Sequence, residues 1–149
     1  MAPFILLLTS FLLLNILGRL GVPFSFGWWT ALRVSLAAMF LLTASAHWGR
    51  RRADLIHMVP PRFPRPDLLV TMTGVLEILG AIGLLIPTIA PFVGLSLSLF
   101  LLAVFPANVH AARERLTIAG RPATPLVTRT AMQVIFVMAT MAVFIAGVR

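Results

Sequence analysis

Five apolar runs, at residues 4–20, 28–46, 67–86, 91–108 and 126–147, dominate the sequence and decide what it can fold into. About 20 predominantly apolar residues carry an α-helix across the hydrocarbon core of a bilayer, and four of the runs come close to that length. The first is short. It reaches a full span only by extending to the turn at 21–23, and it lacks both the basic start and the A-x-A-like cleavage site of a signal peptide. It reads as a retained helix. Composition agrees, since 60% hydrophobic residues and a mean hydropathy of +1.02 lie well outside the range of soluble domains. The expected fold is an all-α membrane protein: one membrane domain over residues 1–149, with an extra N-terminal helix at 1–23 and a four-helix core at 24–149.

The connections are punctuated by proline and arginine. Between the second and third runs stand Arg50, Arg51, Arg52, Arg62 and Arg65 with Pro60, Pro61, Pro64 and Pro66, a density of proline that stops any helix. A short amphipathic piece at residues 54–59 is expected to lie on the membrane surface, because Leu55, Ile56, Met58 and Val59 alternate with charge. Pro66 and Asp67 open the third helix, Pro87 closes it, and Pro106 predicts a kink or an early end to the fourth. Phe24, Phe26, Trp28 and Trp29 form an aromatic belt, and His47 with Trp48 marks the other boundary of the second helix.

All twelve basic residues are arginine, and the formal net charge is +8. Most of them sit in the second and fourth connections, which the positive-inside rule places in the cytoplasm, with the N-terminus inside and the C-terminus outside. Topology therefore explains the charge without a nucleic-acid partner. There is no cysteine, so the chain forms no disulfide and binds no metal through thiolates. Any redox role belongs to a bound cofactor or a partner. His47, His57 and His110 lack the spacing of a metal-binding pair, and no metal site is expected.

Glu77 is the exception inside an apolar run. A carboxylate at bilayer depth costs on the order of 3 kcal/mol, so it needs a partner, a proton or a cavity. Counted from the outer helix ends at 1.5 Å per residue, Arg33 lies roughly 8 to 10 Å deep and Glu77 roughly 13 Å, within reach of an arginine side chain. Asn15, Ser98 and Thr140 fall at similar heights. Two readings stay open for this layer: a structural pair of Arg33 and Glu77 that locks helix packing, or a pocket in which Glu77, Arg33, Asn15, Ser98 and Thr140 hold the head of a hydrophobic ligand. A second polar layer, of His47, Trp48, Asn108, His110 and Gln133 with Arg129 at its edge, lies at the cytoplasmic ends. It reads either as interfacial anchors or as a vestibule.

The segments Ala46-His47-Trp48, Met58-Val59-Pro60, Thr73-Gly74-Val75-Leu76-Glu77 and Phe105-Pro106-Ala107-Asn108-Val109-His110 together resemble the DoxX-like family of small bacterial membrane proteins. The resemblance covers residues 30–148, and Trp48 stands where a phenylalanine is more usual. It implies a four-helix core in the bacterial inner membrane and a loose association with redox chemistry, for which a quinone would be the ligand. It transfers no catalytic residue. The function expected is a non-catalytic accessory subunit that holds a small hydrophobic ligand and supports a redox-protein partner. The rival is a structural or chaperone-like protein that docks a partner on its arginine loops, and a small transporter working as a homo-oligomer is the third.

Overall fold

The computed structural model of the chain describes residues 1–20, 27–118 and 120–148. The expected turn at 21–23 and the Phe24 and Phe26 part of the aromatic belt lie outside the described residues. Among the described residues there are six helices: α1 (Ala2–Arg19), α2 (Trp28–Ser45), α3 (Arg52–Met58), α4 (Pro66–Leu85), α5 (Ala90–Arg113) and α6 (Leu126–Gly147). All but α3 are long and apolar enough to cross a membrane. The chain is an all-α, multi-pass membrane protein.

Helices α2, α4, α5 and α6 close a ring, each touching its two neighbours, while α1 packs on the outer side of α2. Of α1 only Leu7 is buried, and Ile5, Leu8, Leu12, Leu13 and Ile16 are exposed along its length. In a soluble protein such a face would be a liability. Here it is where lipid belongs. The core inside the ring holds Leu36, Met39, Phe40, Leu84, Leu97 and Val143.

Lipid supplies no hydrophobic driving force between helices, so the ring depends on close approach of small residues. Gly94 lets α5 meet α6 backbone to backbone: a β-carbon there would stand 2.6 Å from the Thr140 carbonyl oxygen. Beside that contact the Ser98 and Thr140 hydroxyls are fully buried and bonded to each other at 2.8 Å.

Two elements depart from expectation. Pro106 neither ends nor breaks α5, which runs on to Arg113. A proline costs only its own amide and the carbonyl one turn earlier, and Gln133 of α6 donates to the neighbouring Leu101 carbonyl, bracing that stretch. The connection after α5 also pairs Thr117–Ile118 (β1) with Arg121–Pro122 (β2) in a short antiparallel ladder that no hydrophobic pattern signals.

The amphipathic surface piece is α3, lying against α4 and α5 at the bundle end where α2 finishes and α4 begins. Arg52 holds it there. Its guanidinium donates to the His47 carbonyl at 2.8 Å, to the Asp67 carbonyl at 3.2 Å and to the Thr71 hydroxyl at 2.9 Å. Arg52→Gln should therefore free α3 at a cost of about 1–2 kcal/mol, read as faster hydrogen exchange over residues 52–58 with α5 and α6 unchanged.

Candidate functional site

At the α3 end the four core helices part around a cavity of about 470 Å³. Met39, Phe40 and Thr43 of α2, Val70, Thr73 and Glu77 of α4, Phe100, Leu101 and Asn108 of α5, and Arg129, Gln133 and Phe136 of α6 form its walls. Leu55 and Met58 of α3 form its floor, and Met1 to Pro3 close one edge. Its deep part is aromatic and aliphatic. Its polar groups form a belt near the floor.

The belt is built by a register between α2 and α4. Gly74 has no side chain, and a β-carbon there would stand 2.7 Å from the His47 Cβ and 2.8 Å from the Trp48 ring. The end of α2 therefore lies directly on α4 at Gly74. Glu77, three residues on and on the same face, is brought beside His47. The side chains are 12% and 10% exposed, with Glu77 Oε2 3.6 Å from His47 Nδ1.

That distance is too long for a hydrogen bond, and the reason is local. Nδ1 sits 3.2 Å from the Thr43 carbonyl oxygen, which can only accept, so the Nδ1 proton is committed to it. Burial holds the His47 imidazole below its usual range, against backbone hydrogen bonds at Thr43 and Ala44 that raise it, and nearby Arg52 adds to the lowering. Burial thus favours the uncharged ring. Glu77 Oε2 is left buried with no hydrogen-bond partner. Leaving such a group unsatisfied costs about 1–3 kcal/mol, which native proteins rarely accept without a use for the group.

On the α5 and α6 wall, Arg129 donates through Nη1 to Asn108 Oδ1 at 2.8 Å and through Nε to the Thr124 carbonyl at 3.2 Å. Gln133 is buried and spent on the Leu101 carbonyl. The cavity is thus lined by a glutamate with one buried, unpartnered oxygen, by the His47 imidazole and by a guanidinium bound to neutral acceptors. Such a set can hold and orient a polar head or pass a proton to one. No group of three or more metal-ligating side chains occurs among the described residues.

The structure regroups the residues singled out in the sequence. Arg33 is not the partner of Glu77. Among the described residues its side chain reaches only the Thr30 hydroxyl at 3.4 Å, and it lines a separate cavity of about 130 Å³ at the other bundle end, with Trp29, Pro87 and Gly147. The helix ends are not flush. Arg33 lies fourteen residues before His47, about 21 Å along α2, whereas Glu77 is only about 4.5 Å beyond the Gly74 contact. Arg33 is therefore level with Pro87, past the end of α4.

The rest of the outer layer does not converge on Glu77 either. Asn15 donates to the Phe11 carbonyl of its own helix at 2.7 Å, and Ser98 and Thr140 satisfy each other. The layer placed at the helix ends does join it, since His47, Asn108 and Gln133 share the cavity with Glu77. Trp48 packs over Gly74, and neither it nor His110 is among the lining residues. Thr43 was not singled out, although it stands one helical turn before His47, the spacing that places two side chains on one face. Arg33→Leu should leave the ligand content of the purified protein unchanged, measured by mass spectrometry of the extracted small molecules, because no Arg33 atom borders this cavity.

Fold and site together define a multi-pass helical membrane protein with a partly polar cavity at one end of its bundle. The chain belongs to the family described as Domain of unknown function (DUF8561), which it matches over residues 36–144. No curated protein and no solved structure matches it. The matched segment contains Glu77, His47, Asn108, Arg129 and Gln133, and it starts beyond Arg33 and α1.

Proposed function

We propose that the chain is a ligand-holding accessory subunit of the bacterial inner membrane. In this reading the cavity at Glu77 and His47 retains a small hydrophobic molecule with a polar head. The protein does no chemistry alone, and it serves a quinone-linked redox partner. One observation supports the ligand above all others: a 470 Å³ cavity lined by Glu77, whose Oε2 is buried without a hydrogen-bond partner, a volume within the range of about 300–1,000 Å³ that encloses small ligands. The resemblance of Thr73-Gly74-Val75-Leu76-Glu77 and Phe105-Pro106-Ala107-Asn108 to the DoxX-like family supports the redox association. The arginine-rich connections support an orientation with the α3 end in the cytoplasm.

Deleting the gene should lower the quinone-linked oxidoreductase activity of isolated membranes severalfold. The wild-type chain should restore it, and Glu77→Gln, expressed and inserted to the same level, should not. Full restoration by Glu77→Gln would remove the cavity from the function. The rival reading, a docking protein, draws on the exposed Arg50, Arg62 and Arg65 at the same end. Under that reading the Arg50, Arg62 and Arg65 to Gln triple variant loses the activity, and Glu77→Gln keeps it.

A further inference from the structure

We infer that the cavity takes a single-chain amphiphile with an anionic head, a carboxylate or a phosphate, seated on Arg129 with its chain directed toward Phe40 and Phe136. The inference rests on the ligand-holding reading above and adds the charge and shape of the ligand.

Charge comes first. Arg129 is half-buried on the cavity wall, and its hydrogen bonds go to two neutral oxygens, Asn108 Oδ1 and the Thr124 carbonyl. Among the described residues no carboxylate stands within ion-pair distance of it; the one close approach of a carboxylate to a basic side chain is Glu77 to His47, at 3.6 Å. A guanidinium drawn partly out of water without a counter-ion is costly, and its planar fork fits a carboxylate or a phosphate. Arg51 adds a second positive charge at the same cavity. A neutral head would leave the half-buried Arg129 without a counter-ion.

Shape and depth agree with the charge. Arg129 belongs to the first turn of α6, at the edge of the span, so the head sits at membrane-surface height. Phe40 is seven residues before His47, about 10 Å deeper, and Met39, Phe100, Leu101 and Phe136 surround that depth with apolar surface. Head at the edge and chain inward is the orientation of a lipid in the leaflet on that side. The volume of about 470 Å³ suits one chain and a compact head rather than a whole two-chain lipid.

The test titrates four probes onto delipidated protein in a non-ionic detergent and reads one-to-one complexes by native mass spectrometry. Oleate and oleoyl lysophosphatidate are the anionic probes, while monoolein and a short-chain quinone are the neutral ones. At least one anionic probe should bind the wild type about tenfold or more tighter than monoolein, the factor that one charge-assisted hydrogen bond supplies. Whether oleate or lysophosphatidate leads identifies the head. Arg129→Gln should abolish the preference while leaving monoolein binding in place, and Arg129→Lys should keep part of it.

Equal binding of monoolein or the quinone and the anionic probes to the wild type would overturn the anionic head and leave the ligand-holding reading standing. An unchanged preference in Arg129→Gln would overturn the seat on Arg129. Failure of all four probes would remove both readings. If Arg129→Gln does not yield folded protein, the wild-type preference decides the matter by itself.

Discussion

Glu77→Leu raises the thermal stability of the ligand-free protein by about 1–3 kcal/mol and empties its cavity. In the folded chain Oε2 is buried and unsatisfied, and its histidine neighbour gives its proton to the Thr43 carbonyl. Replacing an unsatisfied polar group with an apolar one of similar size recovers the cost of desolvating it. Evolution keeps such a group where function needs it, at the expense of stability. The measurement is thermal unfolding of delipidated wild-type and variant protein in one detergent. A loss of stability on substitution would identify the Glu77–His47 contact as a lock between α2 and α4, and the cavity as incidental.

Gly94→Val has the largest expected effect on the fold. A β-carbon at this position meets the Thr140 carbonyl oxygen at 2.6 Å, the Phe144 amide nitrogen at 3.2 Å and the Val143 Cβ at 3.2 Å. Two of the three are backbone atoms, which no rotamer change can move. The helices must separate, and the buried Ser98–Thr140 hydrogen bond at the same contact separates with them. Overpacking costs about 1–3 kcal/mol where side chains can yield, and more where the backbone has to shift. The variant should lose most of its monodisperse yield after extraction. Gly27→Val serves as the control, because among the described residues a β-carbon at Gly27 meets nothing within 4 Å, and it should keep most of the wild-type yield.

The spans were legible because their signal is local. A run of apolar residues between proline and arginine reports a helix without reference to any neighbour, and the sixth run, the short one at α3, showed through its alternation of Leu55 and Ile56 with charge. Pro106 did not end its helix as expected, since a proline frees only its own amide and the Leu102 carbonyl, and Gln133, twenty-seven residues later on another helix, braces the adjacent Leu101 carbonyl. The site depended on quantities that one sequence does not carry. Glu77 stood out by its charge, and Gly74 only as part of the segment Thr73-Gly74-Val75-Leu76-Glu77. Their partner follows from how far α2 slides along α4, which is set by packing at Gly74, His47 and Trp48. Counting depth from helix ends assumed flush ends and paired Glu77 with Arg33. The observed register puts about 16 Å of helix rise between them, beyond the reach of an arginine side chain, and it gives Glu77 the layer of His47, Asn108 and Gln133 instead. Arg129 was legible at the edge of that layer, but its lack of a counter-ion is a three-dimensional fact.

The most direct measurement is mass spectrometry of the small molecules extracted from protein purified in native lipid, with wild type and Glu77→Gln compared at matched folded yield. The account predicts one amphiphilic species near one per chain in the wild type, and only bulk lipid in the variant. Identical extracts from the two proteins, with no species enriched over the surrounding membrane, would contradict it.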